Sequence, residues 1–313
     1  MLETFQMIDK IFYVIIAIIG VPVNVLAVVT LSQGKCGLSS CTTYYLVAMA
    51  MADLLLIIVE VILRQINSYY FPSSFLDITP VCSVVSVLSC ADIDCSVWFT
   101  VTFSFDRFVA ICCRKLKAKY CTQKIAAIVL ATTFILFCLK NVPKYFVYEP
   151  QEIIDNVPWF CSVKTSYYTE PGWAGFDLFD TVLTPLPPIV LILLFNVLTV
   201  RYIIVISRVR KGLRGQSKGE NHSDPEMESR RKSIILLFAI SSSFIILWLP
   251  YVLYCFNFAY KFDTDSFYVF EQVGYMLQNL SCCTNTFIYG ATQSKFREQF
   301  KNTLKYPITR LIG

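Results

Sequence analysis

Apolar residues in this chain come in long blocks. They do not follow the spacing of half-buried strands or surface helices. Seven blocks reach spanning length, over about 11–32, 43–66, 79–111, 124–146, 174–207, 230–259 and 267–290. Roughly 20 apolar residues suffice for a helix to cross the hydrocarbon layer. The fifth block is interrupted by Pro185, Pro187 and Pro188, and the seventh carries Glu271, Gln272, Gln278, Asn279 and Asn285. A helix facing lipid could not leave those groups unsatisfied, so the seventh must face its neighbours or water. The pattern predicts an all-α membrane protein, a seven-transmembrane helix bundle over 11–290. Residues 1–10 precede it as an extracellular amino terminus and 291–313 follow as a cytoplasmic tail.

Composition agrees. The 313 residues are 56% apolar and 16% charged, against roughly 45–50% and 25% in soluble domains. The first block lacks a small-residue cleavage site and reads as a spanning helix that is its own targeting signal. With the amino terminus outside, 21 of the 27 Lys and Arg fall in inner loops and the tail. This is the positive-inside asymmetry. The net charge of +5 therefore reflects orientation. It is not a footprint for nucleic acid, because the basic residues sit in short loops beside apolar spans. The third inner loop, 212–228, is rich in Gly, Ser and charge.

In this topology only Cys82 and Cys161, of 13 cysteines, lie at the outer face. Disulfides persist only on the oxidising side, so one bridge, Cys82–Cys161, is expected. Cys82 and Arg107 then mark opposite ends of one helix, about 37 Å apart at 1.5 Å per residue.

The spans carry unusual polar groups. Asp53, Glu60 and Arg64, at i, i+7 and i+11, share one face of the second span. Ser89, Ile93 and Ser96 lie on the Cys82–Arg107 face of the third, with Asp92 nearby and Asp94 pointing away. Bare carboxylates at mid-membrane are costly, so Asp53 and Asp92 imply a proton or a shared cation.

Motifs in register with this topology resemble the rhodopsin-like (class A) G-protein-coupled receptors over almost the whole chain. They are Gly20-Val-Pro-Val-Asn24, Ala50-Met-Ala-Asp53-Leu-Leu, Asp106-Arg107-Phe108, Phe244-Ile-Ile-Leu-Trp248-Leu-Pro250 and Asn285-Thr-Phe-Ile-Tyr289. Phe108 stands where the family has Tyr, and Thr286 where it has Pro. Phe-Asp-Arg-Phe-Val-Ala-Ile-Cys-Cys further resembles sequences grouped with the orphan G-protein-coupled receptor 139.

The resemblance implies a short amphipathic eighth helix from Ser294 to Leu304. It implies a switch built from Asp106, Arg107, Phe108, Phe244, Trp248, Pro250, Asn285 and Tyr289. It also implies an allosteric sodium ion at Asp53, Ser96, Ser281 and Asn285, with no other cofactor. The ligand pocket would be walled by Glu60, Arg64, Ser86, Ser89, Tyr251, Tyr254, Glu271, Tyr275 and Gln278. Aromatic side chains with both charge signs suit a zwitterion or short peptide; the closer resemblance implies aromatic amino acids or small peptides. Ser89 occupies the position where amine receptors carry Asp. The implied protein sits in the plasma membrane, binds an extracellular small molecule or short peptide, and activates a heterotrimeric G protein. Arrestin is a further partner.

Two other classes remain open. Membrane acids suit a transporter or channel, but no inverted repeat is visible. The altered Phe108 and Thr286 suit a decoy that binds without signalling. An intramembrane enzyme would need a converging nucleophile and base, and no such set, hence no catalytic residue, is found. The single histidine, His222, has no partner for catalysis or metal binding.

Overall fold

The computed structural model describes residues 2–214, 225–256 and 264–312. Most of the third inner loop, including His222, lies outside the described residues, as does the 257–259 end of the sixth expected span. Seven spans form one bundle: α1 (Leu2–Ser32), α2 (Ser40–Tyr70), α3 (Thr79–Cys112), α4 (Gln123–Asn141), α5 (Pro171–Leu183 continuing as Leu186–Arg214), α6 (Pro225–Cys255) and α7 (Thr264–Thr292). A final helix, α8 (Ser294–Ile312), follows. The Cys82 end of α3 is called outer below and the Arg107 end inner.

Six of the seven are long and apolar enough to cross a membrane by composition alone; α7 is the exception. It is retained by packing. Gly274 lies so close to α6 that an added Cβ would sit 3.1 Å from the Tyr251 Cα. Ile8, Ile11, Ile15 and Ile18 of α1 and Phe134, Ile135, Leu136 and Leu139 of α4 are exposed. Those stripes face lipid, where exposure of apolar surface carries no penalty.

Four features depart from the sequence reading. First, α1 begins at Leu2, so most of the expected 1–10 segment is helical, and Asp9 is buried beneath Tyr69, whose hydroxyl donates to it. Second, Ile57–Ile66 of α2 is π-helical. Its i→i+5 repeat lets Gln65 Nε2 donate to Glu60 Oε1 at 2.9 Å. Third, α5 is broken at Thr184-Pro185, because proline lacks the N–H that would continue the ladder. Fourth, an antiparallel hairpin caps the outer end. Strands β1 (Tyr148–Ile154) and β2 (Val157–Val163) pair Ile154 with Val157 across Asp155-Asn156. Both turn residues have positive φ, 51° and 62°, as a two-residue type I′ turn requires, and Asn and Asp tolerate that conformation. The Asp-Asn dipeptide was the available sequence signal.

The Cys82–Cys161 disulfide ties β2 to the start of α3. Thr79 Oγ1 adds a 2.9 Å hydrogen bond to the Phe160 carbonyl. Asp94, expected to point away, does leave the pocket face, but it lands in protein. It accepts from Asn141 Nδ2 (2.6 Å) and Thr184 Oγ1 (2.7 Å) and pairs with Lys140 (2.6 Å). Lys140 and Lys144 also both pair with Asp180 of α5, the latter at 2.6 Å. This network clamps α3, α4 and the outer half of α5 together.

Two outcomes follow. Eleven of the 13 cysteines are free, so thiol labelling of denatured, unreduced protein should count eleven, and reduction should add Cys82 and Cys161. Asp94→Ala should cost about 1–3 kcal/mol, because it removes the buried acceptor of Asn141 and Thr184 while Lys140 keeps Asp180. A thermal melt in detergent reads this, with Glu152→Ala on the exposed hairpin as a near-neutral comparison.

Candidate functional site

At the inner end of α3, Asp106 is 0% and Arg107 4% exposed. Arg107 Nε donates to Asp106 Oδ2 at 3.0 Å and Nη2 also contacts that oxygen. Cys41 Sγ of α2 donates to the other carboxylate oxygen at 3.1 Å. Cys121, in the inner loop, donates to the Asp106 carbonyl at 3.8 Å. Burial, followed by the Asp106 carboxylate, pushes the Cys121 thiol up to about 12, so it stays protonated. The guanidinium lies 5.9 Å from the Phe103 ring centroid. Phe108 stacks on Phe195 of α5 at 5.9 Å. It is therefore a packing residue between α3 and α5, a role that needs no hydroxyl.

At mid-membrane, Asp53 is 1% exposed. Ser96 Oγ donates to one carboxylate oxygen and Asn285 Nδ2 to the other, each at 2.8 Å. No cation of the described residues lies within ion-pair distance of it. Three of the four residues expected together thus converge. Ser281 does not bond to Asp53: its hydroxyl donates to the Gln278 carbonyl (2.6 Å) and accepts from Trp248 Nε1 (3.3 Å). Asp92 is not part of this cluster either. No hydrogen bond joins it to Asp53, and it lies within electrostatic reach of Cys138 of α4. Asn24 ties α1 to α7 through the Cys282 carbonyl at 3.0 Å and meets Thr286 Oγ1 at 3.4 Å. Thr286 thus supplies a hydroxyl where the family's pattern has a ring. Tyr289 is fully buried with its hydroxyl unpartnered, its ring edge-on to Phe296 of α8.

Toward the outer end two polar sets face each other. Glu60 accepts from Arg64 (3.1 Å), Gln65 and Ser89. Tyr254 donates to Glu271 at 2.5 Å, and Tyr275 packs against Tyr251 and Tyr254. Tyr275 lies within electrostatic reach of both Arg64 and Glu60, so the sets share one space. Ser86 is buried and outside both hydrogen-bonded sets, and Gln278 is buried below them. Arg64 keeps nearly half of its side chain accessible. An aromatic column descends from there: Tyr251 is edge-on to Trp248 (5.9 Å), which stacks on Phe244 (5.2 Å). Pro250 lies within α6, between Trp248 and Tyr251. Among the described residues no group of three or more His, Cys, Asp or Glu is placed to hold a metal ion.

Residues 23–289 match the family described as 7 transmembrane receptor (rhodopsin family). The chain belongs to this family. It is a family of membrane signalling receptors. The chain is 25% identical over 289 residues to the tachykinin-like peptides receptor 86C of Drosophila melanogaster, which spans 87% of this chain and 53% of that receptor. It is 23% identical over 309 residues to human somatostatin receptor type 3, covering 96% and 68% of the two. It is 25% identical over 314 residues to neuropeptide receptor 22 of Caenorhabditis elegans, covering 94% and 69%. The chain thus spans about half the length of the first relative and about two thirds of the other two.

Asn285→Ala should remove one of the two donors to a fully buried carboxylate and cost about 1–3 kcal/mol. A lower melting midpoint than wild type, with Phe287→Ala on the lipid face as comparison, checks it.

Proposed function

We propose that this protein is a plasma-membrane receptor, amino terminus outside and carboxy terminus in the cytosol. It binds an extracellular short peptide and activates a heterotrimeric G protein, with arrestin as a second transducer. The observation that carries the reading is the aromatic column joining the outer polar sets to the middle of α6, with Arg107 held by Asp106 at the inner end of the bundle. A ligand that displaces Tyr251 or Tyr275 moves Trp248 and loosens its bond to Ser281. Helix α6 pivots at Pro250, where the backbone lacks a donor, and its inner end swings from α3. Arg107 then exchanges Asp106 for groups on a transducer helix entering the groove.

A peptide suits the outer sets because they offer an anion, Glu271, and an accessible cation, Arg64, on opposite sides of a tyrosine cluster. The relatives' names, receptors for tachykinin-like peptides, somatostatin and a neuropeptide, point the same way. Aromatic amino acids, implied by the finer resemblance to the orphan receptor 139 group, are the alternative ligand class. Asp53, Ser96 and Asn285 fit a sodium ion by their chemistry, a buried carboxylate with oxygen donors and no cation beside it. The ion would neutralise Asp53 and favour the resting arrangement.

The test is a second-messenger assay in cells against a short-peptide collection and the aromatic amino acids. Wild type should respond to a peptide. Arg107→Ala should lose the response while reaching the surface at a comparable level. Absence of basal and ligand-driven output with every G-protein class would overturn the reading. A second outcome concerns the ion: replacing choline chloride with sodium chloride should raise the wild-type melting midpoint, and Asp53→Asn should abolish that shift.

A further inference from the structure

A cavity of about 320 Å³ opens at the inner end of the bundle. Five cations line it, Arg107, Lys117, Arg230, Lys232 and Lys295, and none of its lining residues is acidic. Arg107 is neutralised by Asp106. Among the described residues, Lys117, Arg230 and Lys295 have no carboxylate within ion-pair distance. Like charges gathered around one small space repel, and the repulsion is strongest where protein displaces water.

The backbone adds to the same field. The first turns of α2 (Ser39, Thr42) and α8 (Ser294, Lys295) both line the cavity. Each helix start carries a partial positive charge and N–H groups without helical partners. Gly37 has a φ of +68°, and a Cβ there would come within 2.6 Å of the Lys295 side chain. The missing side chain lets Lys295 lie over the loop joining α1 to α2 and point its charge inward.

The shape of this field selects its ligand. A single carboxylate would answer one cation. Cations contributed by α3, the second inner loop, α6 and α8 call for one compact anion bearing several charges. Lysine is a point-charge partner for phosphate. We propose that this cavity binds a multiply phosphorylated headgroup, which bridges α6 to α3 and α8 and thereby holds the bundle in its closed form. The headgroup can arrive on an inner-leaflet lipid or as a soluble inositol phosphate. Binding is read without any signalling output, so this inference stands or falls separately from the receptor reading.

The test uses the purified full chain in phosphatidylcholine vesicles. Inositol trisphosphate is added in solution in one arm, and phosphatidylinositol bisphosphate is built into the vesicle in the other. Binding and the melting midpoint are measured for wild type, for the double variant Lys117→Gln/Lys295→Gln, and for Lys124→Gln/Lys301→Gln, two lysines outside the cavity, as a charge-matched control. Wild type and the control should bind and melt higher with the probe. The double variant should bind at least about tenfold more weakly and lose the shift. Response to the soluble probe marks a free headgroup as sufficient; response to the vesicle probe alone marks the lipid as the source. Binding of neither probe, or equal binding by wild type and the double variant, would overturn the proposal.

Discussion

Polar side chains of α3 inside the hydrocarbon layer are satisfied largely by neighbouring helices, since neither lipid nor bulk water supplies partners there. Ser96 reaches Asp53 of α2, Ser89 reaches Glu60, Asp94 takes Lys140 and Asn141 of α4 and Thr184 of α5, and Asp106 takes Arg107 and Cys41. Three of these contacts tie α3 to α2 at successive depths, and Asp94 ties it to α4 and α5, so α3 is fixed against all three. The disulfide adds the outer hairpin to the same helix. Helix α6 is joined to its neighbours by rings and single hydrogen bonds, Tyr251 on Tyr275, Trp248 on Ser281 and Ser241 on Asn196, and in the proposed mechanism it is the helix that moves.

That contrast gives the receptor reading its physical content. A buried ion pair is costly to break by removing one partner, so the clamps made by Asp94 and by the lysines on Asp180 act as fixed points. Arg107 differs because its partner is its own neighbour in sequence. Exchanging Asp106 for a group on another protein requires no rearrangement of α3, only space, and outward movement of α6 supplies that space. Packing of Phe108 on Phe195 leaves this exchange untouched.

The span pattern, the disulfide and the Asp53 cluster were legible in the sequence because composition, compartment and motif spacing each report one of them directly. Four things were not. Projecting α2 as a regular α-helix missed the π segment, since hydrophobicity alone carries no signal for an i→i+5 repeat. Asp94 leaves the pocket face as its helical position predicts, but its partners Lys140, Asn141 and Thr184 lie 46, 47 and 90 residues away. The apolar pattern carries no signal for the hairpin, and only Asp155-Asn156 marks its turn. Ser281 was placed with Asp53 by motif, whereas a tryptophan N–H on the facing helix offered it a nearer partner.

The central claim is that the Asp106–Arg107 pair holds the protein at rest while its release permits signalling. Nucleotide exchange on a purified G protein, measured with receptor in lipid vesicles and no ligand, tests it most directly. Asp106→Asn should exchange faster than wild type, and Arg107→Ala should fall to the rate of empty vesicles. Equal rates for Asp106→Asn and wild type, beside a wild type that exceeds empty vesicles, would contradict the account.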